Sequence, residues 1–221
     1  MTDTVPVHVP AGRLVASSPH SVSAAVEALA RALEMRDYRR GKFAETRDHC
    51  ERVTFLGLEL AAQIAPDLVT DPQLEFGFRL HDIGMLAVSD SILLKREPLT
   101  RDELDEVREH PWLGERIVAA LPELNGVARQ VIGAHHERWD GTGYPRRLQG
   151  LEIPLAARIF AVVDTFDSIT RDQPWRPALS LDFAFAEIRE KSGTQFDPDI
   201  ASTFLSSIEE EAVAVAADHN R

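Results

Sequence analysis

A chain of 221 residues is long enough to form one domain with a sizeable buried core. Its 36 acidic and 24 basic residues give a formal net charge of -12, which argues against a broad nucleic-acid-binding or anionic-membrane-binding surface. The single cysteine, Cys50, excludes an internal disulfide and a cysteine-based zinc site. No segment resembles a signal peptide or an apolar membrane helix of about 18 residues. We therefore predict a cytoplasmic protein that binds neither nucleic acid nor membrane.

The predicted secondary structure is entirely helical. Residues 1–20 contain three prolines and no helical periodicity, so we expect a loose N-terminal arm. A first apolar stripe begins after residue 20 and predicts a helix that ends near Arg36. Apolar periodicity and capping signals predict further helices over 44–64, 73–82, 101–109, 112–121, 127–136, 154–171, 181–191 and 198–210. No stretch alternates apolar and polar residues over a sufficient length to predict a strand. The sequence thus predicts an all-α, single-domain bundle over residues 21–210 and a C-terminal tail over 211–221.

Histidines are concentrated in the middle of the chain. Five of the eight lie within residues 49–136, and these are His49, His81, His110, His135 and His136. Imidazole is the commonest protein metal ligand, and carboxylates bridge hard or borderline cations. A set of histidines and carboxylates without cysteine therefore favours iron, manganese, cobalt or zinc used for hydrolysis. Asp82 and Asp164 are the carboxylates that we expect to join the histidines.

Each of these residues also has a simpler interpretation when it is taken alone. His110 precedes a proline at a predicted helix junction, and His135 and His136 close a predicted helix, so core or capping roles are open to all three. Asp164 and Asp167 lie one turn apart on an otherwise apolar helix, where inward carboxylates are unfavourable without cations or donors nearby. The metal hypothesis therefore depends on whether the predicted ligands converge.

A set of short motifs lies between residues 45 and 198. They are Glu45-x-x-x-His49-x-x-Arg52-Val53, His81-Asp82-Ile83-Gly84, Leu99-Thr100, His110-Pro111, His135-His136-Glu137-Arg138-Trp139-Asp140-Gly141-Thr142-Gly143-Tyr144-Pro145, Ile153-Pro154, Arg158-Ile159, Asp164-x-x-Asp167 and Gly193-Thr194-Gln195-Phe196-Asp197-Pro198. With these motifs the chain resembles the HD-GYP domains over about residues 25–206. They are a branch of the HD superfamily of metal-dependent phosphohydrolases, and the characterised members hydrolyse cyclic di-GMP. The resemblance implies an HD-type helical bundle.

The resemblance also implies roles for individual residues. The implied metal ligands are Glu45, His49, His81, Asp82, His110, His135, His136 and Asp164. They would hold two or three divalent ions, iron or manganese, with Asp82 as the bridge and with Asp82 and Asp164 as catalytic residues. Glu45 matches a ligand that accompanies a third metal in some members, and it lies on the same helix face as His49. A surface ion pair with a nearby arginine is the alternative for Glu45. The implied substrate-binding residues are Gly143, Tyr144, Pro145 and Arg176.

Two departures from the family pattern concern charge. Met85 stands where the family usually has lysine, and Gln173 stands where it usually has arginine. Both missing cations are expected to face substrate phosphates or metal-bound oxygens. Two functions therefore stay open. One is a metal-dependent phosphodiesterase acting on cyclic di-GMP or a related cyclic dinucleotide. The other is a catalytically weak, metal-loaded signalling module that contacts a partner, such as a diguanylate cyclase, through the loop at 143–145.

Overall fold

The computed structural model describes the backbone of residues 19–38, 43–95, 97–172 and 176–218, and the side chains of 22–36, 47–95, 97–172 and 176–208. Its α-helices are α1 (Pro19–Tyr38), α2 (Phe43–Ile64), α3 (Gln73–Arg79), α4 (Asp90–Leu93), α5 (Arg101–Arg108), α6 (His110–Val118), α7 (Val127–Ala134), α8 (Leu155–Thr170), α9 (Leu181–Lys191) and α10 (Pro198–Asp218). Short 3-10 helices occupy Pro66–Thr70, Ile83–Ala87, Pro122–Leu124 and Gly150–Glu152. The described parts of the chain contain no β-strand, so the all-α prediction is confirmed. None of the described helices is both long and apolar enough to cross a bilayer.

The observed helices differ from the predicted ones mainly at their ends. α3 stops at Arg79, so His81 and Asp82 lie in the turn that follows and not within a helix over 73–82. Neighbouring side chains on a helix point about 100° apart, and a turn relieves this restriction. α6 begins at His110, two residues earlier than predicted, and α10 continues to Asp218, past the predicted end at 210.

The buried apolar residues form two main clusters. The larger one contains Phe78, Phe160 and Phe204 and joins α2, α3, α8, α9 and α10. The second contains side chains from α1, α6 and α7 and from the segment between α3 and α4. Phe160 of the larger cluster contacts the histidines directly, because its ring centroid lies 4.7 Å from that of His81 and 6.0 Å from that of His135. The floor of the histidine site is therefore part of the core.

A close backbone contact holds α6 against the turn that carries His81 and Asp82. A Cβ atom at Gly84 would lie 1.8 Å from the carbonyl oxygen of His110 and 2.6 Å from the amide nitrogen of Gly114. Any side chain at position 84 would push these segments apart. Glycine at this position therefore lets the start of α6 bring His110 next to Asp82.

Candidate metal centre

Seven of the eight predicted ligands converge in the structure. They form two groups, within which one potential ligand atom per residue lies within 4.8 Å of the others. The first group is Asp82, His110, His135 and His136, and the second is His49, His81 and Asp164. The eighth predicted ligand, Glu45, belongs to α2, but its side chain lies outside the described residues.

Asp82 lies between the two groups. Its Oδ1 atom is 3.1 Å from Nε2 of His110 and 3.6 Å from Nε2 of His135, whereas its Oδ2 atom is 3.5 Å from Nε2 of His81. The two carboxylate oxygens therefore face different groups. The Nε2 atoms of His110 and His135 are themselves 3.1 Å apart, a separation that requires a proton or a cation between two lone pairs.

Three of the histidines are oriented by the main chain. In His81, His110 and His135 the Nδ1 atom contacts the carbonyl oxygen three residues earlier, at 2.9, 2.8 and 2.9 Å. A carbonyl oxygen only accepts hydrogen bonds, so Nδ1 must carry the proton in each ring. This tautomer leaves the lone pair of Nε2 directed into the cluster, as metal ligation needs.

His49 is oriented by side chains instead. Its Nδ1 atom lies 2.7 Å from Oδ2 of Asp167, and its Nε2 atom lies 3.3 Å from Oδ1 of Asp164. Arg52 donates to both oxygens of the buried Asp167, with 2.8 Å between Nη2 and Oδ2. The predicted site residues do not include Asp167 and Arg52, although both belong to the sequence motifs that contain His49 and Asp164. The signal in the sequence was a second carboxylate one helical turn after Asp164.

The carboxylates keep the second group charged. Burial opposes a proton on His49, but hydrogen bonds to Asp164 and Asp167 outweigh burial and raise its pKa to about 10. Burial similarly opposes ionisation of Asp164, yet the hydrogen bond and the charge of His49 lower the pKa of this carboxyl group. The charge of Asp82 raises the pKa of His81 against the effect of burial.

The first group combines one anion, Asp82, with two imidazoles whose pKa is lowered, those of His135 and His136. The pKa of Asp82 is held well below its usual value by His81, His110 and His135, despite burial that acts in the opposite direction. Burial lowers the pKa of His135, and it lowers that of His136 well below the usual value with help from the neighbouring histidines. Neutral imidazoles beside an ionised carboxylate are the protonation states that bind a divalent cation. The cluster is therefore able to hold metal.

A cavity of about 300 Å³ opens beside the cluster. His136 and Asp164 lie on its wall, together with Gly143 and Tyr144 of the predicted substrate-binding loop. The Tyr144 ring stacks on that of His136, with 4.7 Å between centroids and 25° between planes, and its peptide bond to Pro145 is cis. An aromatic wall next to candidate ligands suits a ligand that has both an anionic group and a flat ring.

The remaining residues that the sequence singled out have other surroundings. Arg176 donates hydrogen bonds to main-chain carbonyl groups at the end of α8 and just after it, at Ser168, Ile169 and Pro177. It is not among the described residues that line the cavity, and its role in substrate binding stays a prediction. Met85 is partly buried and packs against the second apolar cluster. Gln173 lies outside the described residues.

Comparisons with known proteins support this interpretation. A family model described as "HD domain" matches residues 17–200. A cyclic di-GMP phosphodiesterase of Vibrio cholerae is 42% identical over 144 residues, which are 62% of this chain and 29% of that protein. A 3'3'-cGAMP-specific phosphodiesterase 3 of the same organism is 39% identical over 70% of this chain and 33% of its own length. A solved structure described as an HDG"Y"P protein of Bdellovibrio bacteriovorus superimposes with a TM-score of 0.60, at 15% identity over 86% of this chain and 64% of that one.

The chain belongs to the HD domain family. The HD-GYP resemblance read from its motifs is confirmed, and the solved structure agrees with the helical fold. The chain spans about a third or less of the two curated relatives.

Proposed function

We propose that the chain is a metal-dependent phosphodiesterase that hydrolyses cyclic di-GMP or a related cyclic dinucleotide. The observation that supports the proposal most is the convergence of five histidines and two aspartates beside a cavity. The names of the two curated relatives are consistent with this reaction and with two alternative cyclic dinucleotides.

Under this proposal each group would hold one divalent ion, iron or manganese, and Asp82, whose oxygens face both groups, would be the bridging residue. Glu45 would be the additional ligand of a third ion. When bound, such ions activate water and stabilise negative charge on the attacked phosphodiester. The donor set fits this role, since its atoms are nitrogen and oxygen and it contains two carboxylates.

The side chains around the cavity have further roles in the proposed reaction. Asp164 stays ionised and lines the cavity, so it can accept a hydrogen bond from the attacking water and orient it. The Tyr144 ring lines the cavity, where it can contact a nucleobase, and Gly143 and Pro145 flank it in the same loop. Arg176 is the remaining residue proposed for substrate binding.

The experiment that tests the proposal is an anaerobic assay of the protein reconstituted with Fe(II) or Mn(II). Cyclic di-GMP and 3'3'-cGAMP would be supplied separately, and the linear dinucleotide and mononucleotide products would be separated by chromatography. We expect product from at least one substrate. Asp82→Asn should give none and should bind less metal, because it removes the proposed bridging anion. A metal-loaded wild type without product from either substrate would reject the proposal.

One observation favours a second candidate function. Met85 places an apolar side chain three residues after Asp82, and that side chain packs against the second apolar cluster. A catalytically weak, metal-loaded module that signals by contacting a diguanylate cyclase through the loop at 143–145 would tolerate this loss of charge. In that case the assay would find bound metal and no turnover, and a pull-down with the cyclase would depend on Tyr144. The predicted cytoplasmic location stays a prediction under either function.

A further inference from the structure

Two cations line the cavity beside the candidate metal centre, among the residues that the structure describes. They are Arg108, the last residue of α5, and Arg138, from the loop after α7. Arg138 donates to Thr142 at 3.0 Å, to Gln195 at 2.9 Å and to Asp140 at 3.2 Å. These bonds use its guanidinium group to hold the loop together. Arg138 is therefore poorly placed to bind a ligand.

Arg108 is in a different situation. Its guanidinium carbon lies 5.8 Å from the centroid of the Tyr144 ring, the same ring that stacks on His136. Its ion-pair partner within the described parts of the chain is Asp105, one turn earlier at 3.4 Å. Both side chains are more than half exposed, at 56% and 59%, and such pairs contribute little. The donors of Arg108 are thus available at the edge of the cavity.

We propose that Arg108 binds the phosphodiester that is not being cleaved in a substrate with two phosphates. The inference rests on the proposed function. A cyclic dinucleotide has two phosphodiesters in one ring, so only one of them can be at the metal cluster at a time. A cavity of about 300 Å³ is at the small end for ligand sites, and part of such a molecule must extend to its edge.

The chemistry of Arg108 matches that position. A guanidinium group offers paired donors that fit two oxygens of a phosphate, and Arg108 presents these donors beside the Tyr144 ring at the edge of the cavity. The formal net charge of -12 repels a dianionic substrate, so a local cation has a large influence on its capture. Tyr144 connects Arg108 with His136, so one aromatic ring contacts both the proposed phosphate-binding side chain and a predicted metal ligand.

The test compares Arg108→Gln with Arg101→Gln, a matched control. Arg101 is an exposed arginine at the other end of the same helix and is not among the described residues lining the cavity. Binding of a hydrolysis-resistant phosphorothioate analogue of cyclic di-GMP should weaken roughly tenfold in Arg108→Gln, as expected for a lost hydrogen bond to a charged group. The salt dependence of binding should also become shallower. Arg108→Lys should restore part of the affinity, and Arg101→Gln should behave as wild type.

A second substrate separates this role from a general effect on the site. Bis(p-nitrophenyl) phosphate has a single phosphodiester, so Arg108→Gln should leave its kcat/KM unchanged while the KM for cyclic di-GMP rises. The inference would be overturned if Arg108→Gln bound the analogue as tightly as the wild type does, or if its kcat/KM fell equally for both substrates. If the metal-loaded wild type hydrolyses neither substrate, the proposed reaction fails, and an Arg108-dependent affinity for the analogue would still support the phosphate contact. A wild type that does not bind the analogue would overturn both.

Discussion

Replacing Asp167 should show how much the orientation of His49, a predicted metal ligand, contributes to stability and to metal binding, since Asp167 contacts this histidine and is not itself a predicted ligand. Asp167 is buried and accepts hydrogen bonds from His49 and from two nitrogen atoms of Arg52. The Arg52 side chain is 30% exposed, so solvent screens part of this ion pair. We expect Asp167→Ala to lower the free energy of unfolding by about 3 kcal/mol, because it leaves the partly buried imidazole of His49 and the guanidinium of Arg52 without their acceptor. Asp167→Asn, which keeps the shape and one acceptor, should lose roughly half as much.

The same substitution should weaken metal binding. Without the Asp167 carboxylate, His49 loses the bond that fixes its tautomer and directs Nε2 towards Asp164. Loss of such a supporting partner typically lowers metal affinity about 10- to 100-fold. Competition with a fluorescent chelator for Mn(II) measures the affinity. Thermal unfolding measures the stability, where about 3 kcal/mol corresponds to a decrease of roughly 6–12 °C in Tm for a chain of this size.

The chain offers a matched control in Asp197, a second buried carboxylate paired with an arginine, Arg158. No contact joins Asp197 to a predicted ligand among the described residues. Asp197→Asn should therefore lower Tm and keep the Mn(II) affinity of the wild type. Unchanged Mn(II) affinity in Asp167→Asn, or an equal loss in Asp197→Asn, would refute the reasoning.

Further predictions concern pH, packing and charge. Because the pKa of His49 is raised to about 10, its proton stabilises the metal-free fold below pH 6.5, and this contribution is lost as the pH rises through about 10. Metal must displace that proton, so Mn(II) affinity should increase about tenfold per pH unit in chelator competition below the raised pKa. Gly84→Ala should lower the free energy of unfolding by about 3 kcal/mol in urea denaturation, because its methyl group would overlap the carbonyl of His110. Met85→Lys should raise the turnover of cyclic di-GMP, because it restores a cation near the reacting phosphate. It should also lower Tm slightly, because the methionine side chain no longer packs against the second apolar cluster. An unchanged rate at equal metal content would favour the signalling module. Glu45→Ala should lower the metal content by about one ion per chain in elemental analysis if this residue completes a third site. An unchanged metal content would favour the alternative, a surface ion pair of Glu45.

Much of the fold and of the cluster could be predicted from the sequence. Apolar periodicity located the helices, and the motifs named the seven side chains that converge. The support of His49 could not be predicted in the same way, because Asp167 and Arg52 are 115 residues apart in the chain and meet only through the packing of α2 against α8. The environment of Arg176 depends on carbonyl groups that only the completed end of α8 presents.

The hydrogen bonds that orient three of the histidines also cap the C-terminal ends of helices. The carbonyl groups that His81, His110 and His135 contact belong to the last turns of α3, α5 and α7, where main-chain oxygens lack the amide partner four residues later in the helix. Each imidazole thus acts as a C-terminal cap as well as a predicted ligand. Alanine substitution at any of the three removes both at once, so a loss of metal in these variants also reports a frayed helix. Asp82→Asn changes the charge of the cluster and leaves all three helix ends intact, and it is the variant from which ligation can be inferred without ambiguity.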